Sequence, residues 1–222
     1  MSINQTLEKM RKAGKVSDYK SKGNLGEDAV LSLTLELQNK IGGLVYNSFS
    51  YPYQSNEAGK NYTGNIKLED GKYVEYTDSD RSLTDEIDIL FVTPYRIFPV
   101  EVKAYHAKLE VYDHWFRKNG TEVDKSPILQ AEKHARHLYH ALHSVLPDGS
   151  PEYIVPMCCF VDRCKIIDTR SDSFADYIPI SILNNYKSIL MERNTPLKYN
   201  LSIEDIKLKL NDIKTDCKAA YT

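Results

Sequence analysis

The residues best suited to chemistry lie in two short runs. The first is Thr84-Asp85-Glu86-Ile87-Asp88-Ile89-Leu90-Phe91-Val92; the second, beyond a turn, is Arg96-Ile97-Phe98-Pro99-Val100-Glu101-Val102-Lys103. Each alternates apolar and charged positions, which predicts two β-strands. Ile87, Ile89 and Phe91, or Val100 and Val102, share one face, with the charges on the other. In a hairpin closed around Pro94-Tyr95, residues whose numbers sum to 189 face each other, so Asp88 meets Glu101 and Glu86 meets Lys103. Facing side chains hold their Cβ atoms about 4.5–5.5 Å apart, and two carboxylates about 4 Å apart at an effective dielectric of about 20 repel by roughly 4 kcal/mol. A divalent cation between them removes that cost, which makes the hairpin a candidate metal-dependent catalytic site. Pro99 has no N–H to give to a neighbouring strand, so a bulge or an unpaired position is expected there.

Ile87-Asp88, twelve intervening residues, then Glu101-Val102-Lys103 has the form of the PD-(D/E)XK phosphodiesterase motif, with Ile87 where Pro is common. That motif needs carboxylates on adjacent strands to hold a hard cation through oxygen, and an ammonium two residues beyond the second carboxylate on the same face. Other pieces accompany it in order: Gly23-Asn24-Leu25-Gly26-Glu27, Glu86-Ile87-Asp88-Ile89-Leu90, Pro99-Val100-Glu101-Val102-Lys103, Trp115 with Gly120, and Ser126-Pro127-Ile128-Leu129-Gln130. Together they resemble the nuclease-related domain (NERD) family, a branch of the PD-(D/E)XK nuclease superfamily, over roughly Gly23 to Asp168.

The resemblance implies a metal-dependent nuclease on a restriction-endonuclease-like α/β core, a central mixed β-sheet flanked by helices, here with C-terminal helices added. Asp88 and Glu101 would ligate Mg²⁺ or Mn²⁺, with the Val102 carbonyl as a further oxygen ligand. Glu27 would reach in from the first helix as a third carboxylate, binding a second metal directly or through water, and Gln130 would orient water, phosphate or Lys103. An all-oxygen set selects hard cations over zinc. Nearby carboxylates raise a lysine pKa whereas desolvation lowers it, and the expectation is a protonated Lys103 that positions the nucleophile and stabilises developing charge.

Several elements must position these groups. An amphipathic helix is predicted from Asn24 to about Lys40, with Leu25, Ala29, Leu33 and Leu37 at helical spacing, Glu27 in its first turn and Gly42-Gly43 as the stop. Leu44 to Tyr53 reads as a strand. An acidic insertion over about 54–82 carries a hairpin signal around Asp70-Gly71. Lys108 to Arg117 is expected as a strand ending at an Asn119-Gly120 turn. Ser126 as N-cap and Pro127 at the first position open a long helix whose core face runs Ile128, Ala131, Ala135, Leu138, Leu142 and Val145. Strands follow at Tyr153 to Val161 and Lys165 to Asp168, then helices at about Pro179 to Met191 and Ile203 to Lys218. Strands interleaved with helices argue for an α/β sandwich with a mixed sheet. The domain reading is a basic arm over 1–22, a nuclease-like domain over 23–170 and a C-terminal helical extension over 171–222 packed on it.

His134, His137, His140 and His143 recur every three residues, a spacing that precesses by about 60° per step on a helix and excludes one compact metal site. His134 and His137 share the Gln130 stripe and, with Lys22 of the basic arm, are the candidate nucleic-acid contacts. Trp115 and the tyrosines are read as packing residues. The four cysteines form no CxxC pairs and read as buried reduced thiols.

A chain of 222 residues with 41% hydrophobic and 27% charged residues fits one globular domain with a small appendage. No run approaches the roughly 18 apolar residues of a membrane span, so a cytoplasmic location without membrane partners is expected. A net charge of −2 gives no global basic field, so nucleic acid must be drawn by a local patch or a partner. The leading expectation is a nuclease acting on DNA in preference to RNA, in defence, restriction or repair. Self-association or a protein partner would use the acidic insertion or the C-terminal helices. The alternatives are a catalytically silent binding or scaffolding subunit, and a phosphoesterase acting on small nucleotides.

Overall fold

A computed structural model describes residues 19–52, 63–67, 73–77, 84–161 and 163–222. Helix α1 (Tyr19–Ile41) leads into β1 (Leu44–Pro52), and a hairpin of β2 (Thr63–Lys67) and β3 (Tyr73–Thr77) precedes β4 (Thr84–Val92) and β5 (Ile97–Lys103). Short strands β6 (Lys108–Val111), β7 (Phe116–Lys118) and β8 (Thr121–Glu122) come before helix α2 (Pro127–Leu142), β9 (Met157–Phe160) and β10 (Lys165–Asp168). The chain ends with α3 (Asp172–Tyr177), β11 (Ile180–Ile182), α4 (Tyr186–Arg193), α5 (Ile203–Ile213) and β12 (Ala219–Tyr221). The basic arm and most of the acidic insertion lie outside the described residues.

Among the described residues the central sheet has six strands in the order β11-β9-β5-β4-β1-β12. Its β12, β1, β4 and β5 pair antiparallel, while β5, β9 and β11 run parallel, so the sheet is mixed. One face packs on α2 and α5 through Tyr46, Phe49, Ile87, Leu90, Leu138 and Leu210. The other packs on α1 and α4 through Val45, Ile89, Phe91, Val100, Val30 and Tyr186. This is the α/β class with helices on both faces that interleaved elements require. No described helix is long and apolar enough to cross a membrane.

The β4–β5 hairpin keeps the expected register from Ile89↔Val100 to Val92↔Ile97. Pro99 requires no bulge. The parallel β5–β9 register is the same at the Ile97↔Ile154 bridge and at Val100↔Met157, and carried through the gap it sets Pro99 opposite Pro156. Two residues without N–H groups share the unpaired rungs, so the ladder loses bonds without shifting.

Several expectations need correction. Ile87 does not share a face with Ile89 and Phe91: it packs toward α2, while they pack toward α1. The insertion hairpin pairs Thr63–Lys67 antiparallel with Tyr73–Thr77, and the expected turn at Asp70-Gly71 lies outside the described residues. The segment expected as one strand from Lys108 to Arg117 folds back on itself, pairing Val111 with Phe116. Asn119 and Gly120, at φ of 52° and 80°, then make the tight turn that their types favour. Ser126 occupies the N-cap position of α2 without a side-chain cap bond, and its buried Oγ has no partner. The C-terminal extension is not purely helical. β11 lies within the segment expected as a helix from Pro179, and Lys218 lies beyond the end of α5, leading into β12.

The turn after α1 depends on glycine. Gly43 has φ of 111°, and a Cβ there would stand 2.0 Å from the Val92 carbonyl oxygen. Gly42 is also left-handed, at φ of 76°, but a Cβ would meet nothing within 4 Å. Gly42→Ala is therefore expected to cost about 1–2 kcal/mol from backbone strain alone. Gly43→Ala adds a backbone clash and should cost at least about 3 kcal/mol. Denaturant unfolding of both variants measures the difference; equal losses would contradict the close approach of Gly43 to β4.

Candidate active site

Alternation along β5 sends Phe98, Val100 and Val102 toward α1 and leaves Glu101 and Lys103 on the α2 side. Glu101 is 3% exposed, yet both of its oxygens are engaged. Oε1 accepts from the Lys103 ammonium, and Oε2 accepts from His134 Nε2 at 3.1 Å. His134 Nδ1 lies 3.2 Å from Asp85 Oδ2, and His137 Nδ1 donates to the same oxygen at 2.8 Å. Asp85 thus stands behind His134, and His134 behind Glu101, in a buried chain of alternating charge.

Asp88 reaches the site by a different route. In β1 the residues packed toward α2 step from Tyr46 to Phe49, and in β4 from Leu90 to Ile87, so each strand loses one beat of its alternation. The skipped rung is Ser48 with Asp88: the β1–β4 register runs unchanged through Asn47↔Ile89 and Phe49↔Ile87 on either side. Ser48 makes the kink with φ of 52°. The β4–β5 ladder also stops at Ile89↔Val100, so Asp88 and Glu101 are not a regular cross-strand pair. Asp88 Oδ2 instead accepts the Val102 N–H at 2.7 Å, and the carboxylate takes the place of a ladder carbonyl.

Glu27 comes from the third turn of α1, because the helix begins at Tyr19 rather than at Asn24. Gly26 lets the helix approach closely, since a Cβ there would stand 2.5 Å from Val161 Cγ2 and 3.7 Å from Ala104 Cβ. Val161 N–H in turn donates to the Lys103 carbonyl at 3.1 Å, which ties that contact to the end of β5. Glu27 Oε2 accepts from Lys218 Nζ at 3.1 Å.

The electrostatics separate the two motif carboxylates. Burial, followed by the neighbouring Glu101 charge, pushes Asp88 up to about 7. Burial also pushes Glu101 up, but the His134 hydrogen bond and the Lys103 charge outweigh it and hold Glu101 below its ordinary value. His134 loses basicity to burial and regains more from Asp85 and Glu101, rising to about 9, so it is an imidazolium at neutral pH. Burial pushes Asp85 up as well, yet the hydrogen bonds from His134 and His137 hold it far below the carboxylate range. His137 is lowered, chiefly by burial. Burial disfavours the charged form of Lys103, but Glu101 and then Asp88 more than offset this and keep it an ammonium.

The donor set suits a hard cation. Asp88, Glu101, Glu27 and the Val102 carbonyl supply only oxygen, and the raised Asp88 marks negative charge that the protein leaves uncompensated. Among the described residues, no three His, Cys, Asp or Glu groups converge into a cage as they stand. The Lys103 and Lys218 ammonium groups occupy oxygens of Glu101 and Glu27, and a cation would compete with both.

The histidine assignment needs correction. His134 and His137 are each 4% exposed and bonded to Asp85, so neither presents a surface for phosphate. Gln130 lies half-buried in the first turn of α2, one turn before His134. Lys22 lies in the N-terminal part of α1, and its side chain is outside the description. Trp115 stacks on Tyr112 with ring centroids 3.5 Å apart, in line with a packing role. Asp85 and Lys218 were not among the expected site residues. Asp85 carried a signal, since it alternates with Ile87 and so shares its buried face; Lys218 carried none.

Asp88 links this arrangement to stability. The folded protein holds its proton up to about pH 7 and the unfolded chain only to about 3.8, so metal-free stability falls as pH rises through that window. The difference corresponds to roughly 4 kcal/mol at most, at about 1.4 kcal/mol per unit. Asp88→Asn has no proton to lose. Without metal, its melting temperature should exceed that of the parent protein near pH 8, and the gap should close toward pH 4; a gap that does not change with pH would contradict the assignment.

Comparison with known proteins reaches the same region. The nuclease-related domain family matches residues 22–161, which spans α1, the β4–β5 hairpin, α2 and β9. No curated protein and no solved structure gives a match. The match covers well over half of the chain and contains Glu27, Asp88, Glu101, Lys103 and His134, so the protein belongs to the nuclease-related domain family.

Proposed function

We propose that this protein is a Mg²⁺- or Mn²⁺-dependent PD-(D/E)XK nuclease that hydrolyses phosphodiester bonds in nucleic acid, with DNA preferred over RNA. The observation that carries this reading is the Asp88–Glu101 carboxylate pair, Glu101 buried and Asp88 half-buried beside a protonated Lys103, with Asp88 electrostatically unsatisfied. Folding gains nothing from such a pair, and a catalytic site does.

Asp88, Glu101 and the Val102 carbonyl would hold the cation, with Glu27 reaching it through water. When bound, it supplies a water of lowered pKa and charge to offset the leaving oxygen. The chain's own groups do the positioning. His134 fixes the orientation of Glu101 through its 3.1 Å bond. The Lys103 ammonium, once released from Glu101, donates to a phosphate oxygen as charge develops there. Gln130, one turn before His134, orients water or phosphate at the mouth. The net charge of −2 leaves nucleic-acid affinity to a local patch or a partner subunit, consistent with a role in defence, restriction or repair inside the cell.

A second reading, a binding or scaffolding subunit that keeps the fold without the chemistry, is favoured by one observation: Glu101 and Glu27 are each already paired with an ammonium. Plasmid DNA, single-stranded DNA, RNA and small phosphodiesters, incubated with and without Mg²⁺ or Mn²⁺, separate the readings. The nuclease reading expects cation-dependent DNA cutting that falls at least about 100-fold in Asp88→Asn and in Lys103→Ala. Folded protein that cuts nothing under any cation would instead support the subunit. Cleavage confined to small nucleotides would redirect the assignment to a phosphoesterase.

A further inference from the structure

Beyond the family-matched segment, the C-terminal strand places a residue in the candidate site. β12 pairs with β1 through Asn47↔Ala219, Tyr46↔Ala220 and Val45↔Tyr221, directly beside the Ser48 kink. The Lys218 N–H donates to the Asn47 carbonyl at 3.0 Å, so the lysine backbone is fixed one residue from the rung that carries Asp88. From there its side chain crosses to α1, and Nζ donates to Glu27 Oε2 at 3.1 Å. We propose that Lys218 is a positioning residue that holds Glu27 and fills the place a second metal ion would take, so that the active site works with a single cation at Asp88 and Glu101.

Carboxylates brought to one site repel one another, and either a cation or an ammonium group beside them relieves that cost. Glu101 has His134 and Lys103, and Glu27 has Lys218. Lys218 Nζ donates to Glu27 Oε2 from a backbone anchored to Asn47, one residue from the rung that carries Asp88. The ammonium is thus aimed at the carboxylates rather than at solvent alone. Lys218 lies outside residues 22–161, so the segment after the matched domain completes the site.

This inference depends on the nuclease reading, and the test separates the two. Calorimetric titration of the full chain with Mn²⁺ counts bound ions, and cleavage is followed against cation concentration, for the parent protein, Lys218→Met and Lys218→Arg. The side chain is 54% exposed, so both variants should melt close to the parent. A single Mn²⁺ in the parent and in Lys218→Arg, with a second in Lys218→Met and a shift from simple to sigmoidal cation dependence, is the expected result. If the parent cuts DNA and all three proteins bind the same number of ions with the same cation dependence, the role of Lys218 is overturned while the nuclease reading stands. If the parent neither binds Mn²⁺ nor cuts, both are overturned.

Discussion

Two carboxylates at the end of one hairpin, Glu101 buried and Asp88 half-buried, set the terms for the rest of this structure. Removing an ionised carboxylate from water costs several kcal/mol even after relaxation, so each must be compensated or kept protonated. The protein treats them unequally. Glu101 bonds an imidazolium and an ammonium, whereas Asp88 has only the Lys103 field and one backbone N–H against burial and the repulsion of its neighbour. Environments that push paired titratable groups apart in this way mark a division of labour rather than a packing solution. The Asp85–His134–Glu101 chain extends that logic inward. Asp85 keeps His134 charged, and His134 keeps Glu101 ionised and fixed, so the second motif carboxylate is oriented from behind before any cation arrives.

The backbone is bent to present Asp88. A strand in regular alternation would send residues 85, 87, 89 and 91 to one face, yet the observed packing reverses between Ile87 and Ile89. The compensating kink at Ser48 puts a non-glycine residue at φ of 52° and leaves its buried hydroxyl without a partner. Strain of this kind costs on the order of 1–3 kcal/mol and persists only where surrounding structure enforces it. Here the core on both faces does so, with β1 and β4 in continuous register above and below the rung. The same economy of irregularity occurs in β5, where Pro99 is set against Pro156 and the ladder is interrupted without slipping. Glu101 and Lys103 therefore emerge in the phase that brings them to α2.

Local patterns in the sequence carry much of this. Alternation and turn chemistry locate β4 and β5 and fix their register, because a one-residue slip would expose a whole apolar face. The spacing of Ile128, Ala131, Ala135, Leu138 and Leu142 locates α2, and Asn119-Gly120 locates its turn. What the sequence hides is non-local or irregular. The face reversal at Asp88 arises from pairing with a kinked partner strand far away in the chain, and period-two reasoning has no term for it. His134 and His137 look solvent-exposed until Asp85 is known to lie beneath them; a carboxylate on the buried parity of β4 was the available hint. β11 and β12 are short edge strands defined by the neighbours they join, so helical patterns around them gave the wrong expectation and concealed Lys218.

In the metal-free site Asp88 carries a proton because charge there awaits a cation. Proton release on cation binding tests it directly, since a ligand carboxyl must ionise to coordinate. Mg²⁺ or Mn²⁺ titrated into the protein near pH 6, in two buffers of different ionisation enthalpy, should release about one proton per chain, and the release should vanish in Asp88→Asn. Cation binding to the parent protein with no proton released, or no binding at all, would contradict the account.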